Sequence, residues 1–278
     1  MRWSAGGRGN IEDMRGASGG RGGGGMIPLG IGGFIIVALL SMFTGVDFFS
    51  MLGGGGSGSP APTSVGTTGK VESSPSEERM VDMVDAVAGD AQSTWQRLLG
   101  NRYQTTKVVL FRDAIQSACG YAGSATGPFY CPGDRKVYLD LGFFDELDRR
   151  FGAPGDFAQA YVLAHEIGHH VQTITGTESQ VRQAQRGDPR SANAMSVRLE
   201  LQADCYAGIW GHDAKQSGRA AQGGVELEQG DIEEGLRAAA AIGDDRMQKM
   251  GTGRVQPEKF THGSSQQRME WFKRGLDT

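Results

Sequence analysis

Cysteine is scarce and never paired at short range. The 278 residues hold three, Cys119, Cys131 and Cys205, and no CxxC. That argues against a cysteine zinc knuckle and against a thioredoxin-like redox motif. A basic excess is also missing: 28 Lys and Arg face 32 Asp and Glu, for a net charge of −4 and a pI near 5.8. A nucleic-acid partner, which calls for a basic face, is disfavoured. Histidine occurs only five times, and no internal repeat is found. Glycine is the one excess, 45 residues, concentrated in clusters at 19–25 and 53–58 that read as spacers.

Charge is absent from MIPLGIGGFIIVALLSMFTGV, residues 26–46. As a helix that run spans roughly 30 Å, about the hydrocarbon thickness of a bilayer. It is too long for a signal-peptide core, and no A-x-A site follows. It therefore predicts a transmembrane anchor, assigned to residues 26–52. Four arginines precede it and none follows before Lys70, which predicts a short cytoplasmic segment at 1–25 and an external domain. The expected location is the inner or plasma membrane, single-pass, with the domain periplasmic or extracellular. Residues 53–76 read as a flexible Gly/Ser/Pro linker, and residues 77–278 as the folded domain. Cys119 and Cys131 lie in SACGYAGSATGPFYCP, a Gly-rich stretch able to fold back on itself. An external domain predicts a disulfide between them, with Cys205 left as a buried thiol.

Within the domain, Met80, Val84, Val87, Ala91, Trp95 and Leu98 recur at helical spacing, so a helix is predicted over 77–99. KVVLF at 107–111 and KVYLDL at 136–141 read as strands, the latter either an internal strand or an edge open to an extended peptide. Helices are predicted at 142–151, at 156–174 with Asp156 as N-cap and Gly176 as stop, at 191–212, and in ELEQGDIEEGLRAAAAI. Residues 177–189 read as polar and helix-poor. SSQQRMEWFKR closes the chain as a helix, with Ser264 and Gln267 spaced as a capping box. The pattern is α+β, mostly helical, with a small sheet.

Residues 165–170 read HEIGHH. On a helix, His165 and His169 fall on one face, one turn apart, and can turn ring nitrogens toward one metal ion. Glu166 stands about 100° round the helix, at the edge of that face. There it can take a proton from a metal-activated water without binding the metal. His170 faces away and reads as structural or exposed. A tetrahedral catalytic zinc needs a third protein ligand. Glu178, Glu200, Asp204, Cys205, His212 and His262 are the downstream candidates. Glu200 and Asp204 stand one turn apart among Leu199, Leu201, Ala203, Tyr206 and Ile209. Carboxylates in so apolar a helix need a cation or donors. Glu200 could ligate the metal while Asp204 accepts the second ring N–H of a ligand histidine. The competing reading is two carboxylates on the face of an amphipathic helix.

HEIGHHVQ followed by ELQADCYAG resembles the neutral zinc metallopeptidases of bacteria, a family similar to the wider gluzincin class. MRW…GNIEDMRG, GPFYCPGDRKVYLDLGFF and FTHGSSQQRMEWFKRG resemble it too, so the likeness covers nearly the whole chain. It implies a zincin-like fold, one Zn2+ ion held by His165, His169 and Glu200, Glu166 as general base and acid, and Asp204 supporting a ligand. In related proteases a histidine of an [ST]HP segment lies near the metal. THG at 261–263 is the matching stretch, with Gly263 in place of the proline, which makes His262 the counterpart and a candidate oxyanion donor. The expected activity is membrane-anchored hydrolysis of peptide bonds in extracytoplasmic protein or peptide substrates. The rival readings are a non-catalytic, zinc-stabilised domain that grips envelope proteins, and an amidase acting on cell-wall peptides.

Overall fold

The computed structural model describes residues 1–16 and 71–278. Helix α1 (Pro75–Leu99) opens where Ser74 Oγ accepts the Glu77 N–H at 3.2 Å and Pro75 occupies the first turn, both favourable to a helix start. Its apolar face, Val81, Val84, Val87, Ala88, Ala91 and Trp95, is buried in the main core.

A four-stranded sheet follows the order β1 (Ile11–Asp13), β2 (Val108–Phe111), β6 (Lys136–Asp140), β5 (Phe129–Cys131). The first three strands run parallel, with Val108 opposite Val137, and β5 runs antiparallel to β6. KVYLDL is thus an internal strand, and among the described residues the sheet's edges are β1 and β5. A separate hairpin, β3 (Ala114–Ser117) and β4 (Gly120–Gly123), is tied to β5 by the Cys119–Cys131 disulfide, as expected. Cys205 is a half-buried free thiol.

Helix α2 (Gly142–Arg149) leads to α3 (Asp156–Ile174), which is buried over most of its circumference. Asp156 is the first helical residue rather than the cap. Its carboxylate holds the Met1 ammonium at 3.0 Å, together with Asp231 at 3.2 Å. Helix α4 (Thr177–Gly187) occupies the stretch expected to be helix-poor. It is polar nearly all round, so it carries no apolar period to be read. Helix α5 (Ala192–Ala214) crosses α3, and α6 (Asp231–Ala241), α7 (Asp244–Thr252) and α8 (Ser265–Leu276) complete the domain. The capping box of α8 forms as predicted between Ser264 and Gln267.

Small residues set how closely these helices approach. A Cβ on Gly275 of α8 would lie 2.0 Å from the Cys205 carbonyl oxygen, and one on Gly208 of α5 2.1 Å from that of Phe272. The two backbones therefore touch. Phe272 of α8 is fully buried and meets Tyr161 of α3 edge-on, with ring centroids 4.9 Å apart.

The membrane part of the expected fold, and the single-pass location derived from it, require correction. Among the described residues no helix is long and apolar enough to cross a membrane. The run at 26–46 and the linker at 53–70 lie outside the described residues. Residues 1–15, expected across a bilayer from the domain, are part of it. Strand β1 pairs with β2, Arg2 exchanges backbone hydrogen bonds with Glu226, and Arg15 is buried against Asp13, Glu77 and Glu78. A single crossing between residues 16 and 71 would place these partners on opposite sides.

Candidate metal centre

Helix α3 carries His165 and His169, and α5 carries Glu200 and Asp204. Gly168 lets the helices cross closely: a Cβ there would lie 3.1 Å from the Ala203 carbonyl oxygen. The crossing brings the three expected ligands together. His165 Nε2 lies 3.2 Å from His169 Nε2 and 3.3 Å from a Glu200 oxygen, and His169 Nε2 lies 3.5 Å from the other Glu200 oxygen. One ligand atom from each falls within 4.8 Å of the others.

The outer ring nitrogens are committed. His165 Nδ1 faces Asp204 Oδ1 at 2.8 Å, and His169 Nδ1 faces Gln172 Oε1 at 2.8 Å. Both acceptors require the proton on Nδ1, so two Nε2 lone pairs and a carboxylate converge on one point. With both rings neutral such a group calls for a cation, and the donor set of two imidazoles and one carboxylate suits zinc. Burial disfavours charge on His165, but the charge and hydrogen bond of Asp204 and the Glu200 hydrogen bond outweigh it and raise its pKa to about 9. Burial works against ionised Glu200 too, yet His169 and His165 hold it well below the usual carboxylate range.

Asp204 is fully buried. It accepts hydrogen bonds from Tyr161 Oη at 2.5 Å and from Arg268 Nε and Nη2 at 2.9 and 2.8 Å, besides His165. Sequence reasoning did not find Arg268, an arginine inside the QQRMEWF run of α8. Gln172 was missed as well. Three residues beyond His169, it orients that ring and donates to the Leu199 carbonyl at 2.7 Å, which locks α3 to α5. Both resemble ordinary surface polars in the sequence, and their signal is only that they interrupt apolar helical faces.

Glu166 is 8% exposed, and among the described residues no hydrogen bond reaches its carboxylate. Burial raises its pKa, against the pull of His169 and His165. It lines a cavity of about 470 Å³ that also holds His165, His169, Glu200, His262 and Arg268. His262 thus reaches the same cavity. Its Nδ1 lies 3.1 Å from Asp244 Oδ1, while Asp244 Oδ2 accepts the backbone N–H groups of Thr261, His262 and Gly263 at 2.7, 2.7 and 3.0 Å. Burial lowers the His262 pKa, but the Asp244 hydrogen bond and the charges of Glu200 and Asp244 carry it above the ordinary value. His170, expected to be structural or exposed, is fully buried. It faces Tyr130 Oη at 3.1 Å and donates to the Gln104 carbonyl at 2.5 Å.

The same cavity is lined by Pro128 and by Phe129 and Tyr130 of the edge strand β5. The Val137 N–H donates to Lys107 O of the segment entering β2, so Val137 faces β2. Its partner across the antiparallel ladder is Tyr130. This is therefore a non-hydrogen-bonded pair, and the Tyr130 N–H and C=O face the open edge. A second acidic group, Asp156, Asp231 and Glu234, could hold a metal by geometry, but the Met1 ammonium already bridges Asp156 and Asp231.

Comparison with known proteins agrees with this chemistry. No solved structure matches. The uncharacterized protein YpfJ of Escherichia coli is 44% identical over 290 residues, covering 100% of this chain and 96% of its own length. An uncharacterized protein of Mycobacterium tuberculosis is 43% identical over 199 residues, covering 70% of this chain and 66% of its own. The family model described as "Putative neutral zinc metallopeptidase" matches residues 1–278, and the chain belongs to that family.

Proposed function

We propose that the protein is a zinc-dependent endopeptidase holding one Zn2+ ion. The observation that carries this reading is Glu166, a buried carboxylate that meets no hydrogen-bond donor among the described residues, set in an open cavity beside converging ring nitrogens. A buried, unsatisfied acid is costly and calls for a functional reason. A zinc-stabilised scaffold has no use for it.

His165, His169 and Glu200 would hold the ion, with Asp204 and Gln172 fixing the histidine tautomers. When bound, zinc would polarise the scissile carbonyl and acidify a water to near neutrality. Glu166 takes the proton of the attacking water and passes it to the leaving amine. His262, held through Nδ1 by Asp244, offers Nε2–H to the developing oxyanion. The edge at Tyr130 supports an extended peptide as substrate, its backbone pairing with the Tyr130 N–H and C=O.

The test compares zinc-loaded wild-type protein with Glu166→Gln on a denatured protein such as casein. The variant keeps every proposed ligand, so zinc content should hold while hydrolysis falls by orders of magnitude. Equal hydrolysis by both proteins would remove the peptidase reading.

A further inference from the structure

Two guanidiniums line the catalytic cavity, Arg268 and Arg182. Arg268 is taken up by Asp204. Arg182 is not. It projects from α4 at the far end of α3, and its Nε alone is engaged, donating to Glu178 Oε1 at 2.6 Å. Among the described residues, its Nη1 and Nη2 groups meet no acceptor. Glu178 is itself unusual, an acid only 7% exposed in a wall that also contains Phe129, Val162 and Leu199. Its second oxygen accepts from Thr173 Oγ1 at 2.6 Å. Both Glu178 oxygens are thus spent on orienting neighbours, one of which is the arginine. Thr173 lies one turn beyond His169 on α3, so this assembly borders the proposed zinc site.

Resting on the peptidase reading, we infer that Arg182, oriented by Glu178, is a specificity residue that binds a carboxylate of the substrate at the α4 end of the cleft. A guanidinium engaged only through Nε keeps its two-pronged Nη face free, and that face matches a carboxylate. An ordinary i,i+4 pair on a helix surface exposes both partners and leaves the arginine free to swing. Here the acid is buried and anchored by Thr173, so the arginine alone reaches outward. The carboxylate comes from an acidic side chain or from the C-terminus of the peptide, and the two are separable.

Binding is measured on zinc-loaded Glu166→Gln protein, with synthetic peptides carrying Glu or Gln at each position and either a free or an amidated C-terminus. Carboxylate-bearing peptides should bind about tenfold better than their neutral counterparts, and the preference should shrink as salt is raised. Arg182→Gln should abolish the preference at unchanged zinc content, and Arg182→Lys should restore only part of it. A preference lost on amidation assigns the C-terminus; one lost on Glu→Gln assigns a side chain, at that position. The same preference in Arg182→Gln as in the parent, or no peptide retained by either, overturns the proposal. Cleavage by the Glu166-bearing protein is scored separately. Arg182-dependent binding without cleavage keeps this subsite and removes the peptidase reading, whereas cleavage without Arg182-dependent selection does the reverse.

Discussion

Asp204 and Arg268 meet side-on in the protein interior, the carboxylate taking Nε at 2.9 Å and Nη2 at 2.8 Å. The contact joins α5, which carries the candidate metal ligand Glu200, to the C-terminal helix α8. Through Asp204 Oδ1 it continues to His165 Nδ1. Arg268 therefore keeps Asp204 ionised, and Asp204 keeps the proton of His165 on Nδ1. Burial opposes the charge on Asp204, but Arg268 and His165 bring its pKa below the usual carboxylate range.

Removing one partner of such a pair strands the other. Arg268→Leu should cost about 3–5 kcal/mol of stability, because a buried carboxylate loses its cation. The double change Arg268→Leu with Asp204→Leu should be the less destabilised protein of the two. Asp204→Asn should weaken zinc about 10–100-fold. Urea unfolding and zinc titration read these effects. A double variant as unstable as the sum of its parts would mean the two residues do not act together.

Glu200→Ala should release most of the zinc at neutral pH, since two histidines alone leave the ion short of a protein ligand. Metal analysis after dialysis decides this. Full retention would move the third ligand elsewhere, with His262 next to examine because it lines the same cavity.

The metal-free protein should lose stability as pH rises. Asp204 and Glu200 lift the folded His165 pKa to about 9 against the burial that lowers it, whereas an unfolded histidine titrates near about 6.5. A raised folded pKa stabilises below the unfolded value, and that contribution disappears as pH climbs through the folded one. Between about 6.5 and 9 the apo protein should therefore weaken. Zinc takes the place of the proton, so zinc affinity should rise across the same window. Denaturant midpoints in EDTA at pH 6 and pH 9 test this, and equal midpoints would contradict it.

Local periodicity made much of the site legible. HEIGHH and ELQAD each place two polar groups one turn apart on an apolar helix, and that spacing needs no tertiary knowledge. What pairs those groups was hidden. Arg268 lies 64 residues from Asp204, and Asp244 lies 18 from His262, so neither partnership has a local signature. Helix α4 escaped because its sequence, TESQVRQAQRG, holds almost no apolar residue to carry a period. The open sheet edge was ambiguous because strand order is non-local: β2 pairs with β6 across the whole hairpin. The N-terminal segment misled for a related reason. Its arginines resembled a cytoplasmic flank, yet Arg8 and Arg15 bind acids at the start of α1.

The disulfide should steady the proposed substrate edge rather than the candidate metal site. It ties Cys119 of the hairpin to Cys131 of β5, a short loop of 12 residues' separation. Closing such a loop is worth about 3 kcal/mol. Cys119→Ser with Cys131→Ser should lower stability by that order and raise KM for peptides, with zinc content unchanged. Loss of zinc instead would mean that β5 supports the metal helices directly.

His262 is held by the carboxylate of Asp244. Three consecutive backbone N–H groups, from Thr261 to Gly263, converge on Asp244 Oδ2, and Gly263 takes a left-handed φ of 96° to make the turn. A residue with a Cβ would be strained there, which accounts for the glycine after His262. The other Asp244 oxygen faces His262 Nδ1, so the ring is fixed about its own axis with Nε2 left for the cavity. If Nε2–H meets the oxyanion, the contact is stronger in the transition state than in the substrate complex. His262→Ala should then lower kcat roughly 10²–10³-fold, with KM little changed and zinc retained. Asp244→Ala should reproduce much of the kcat loss, because the loop that presents His262 is released, and Asp244→Asn should recover part of it by accepting the same backbone N–H groups. Full activity in His262→Ala would reduce the residue to packing. Loss of zinc in that variant would make it a ligand instead.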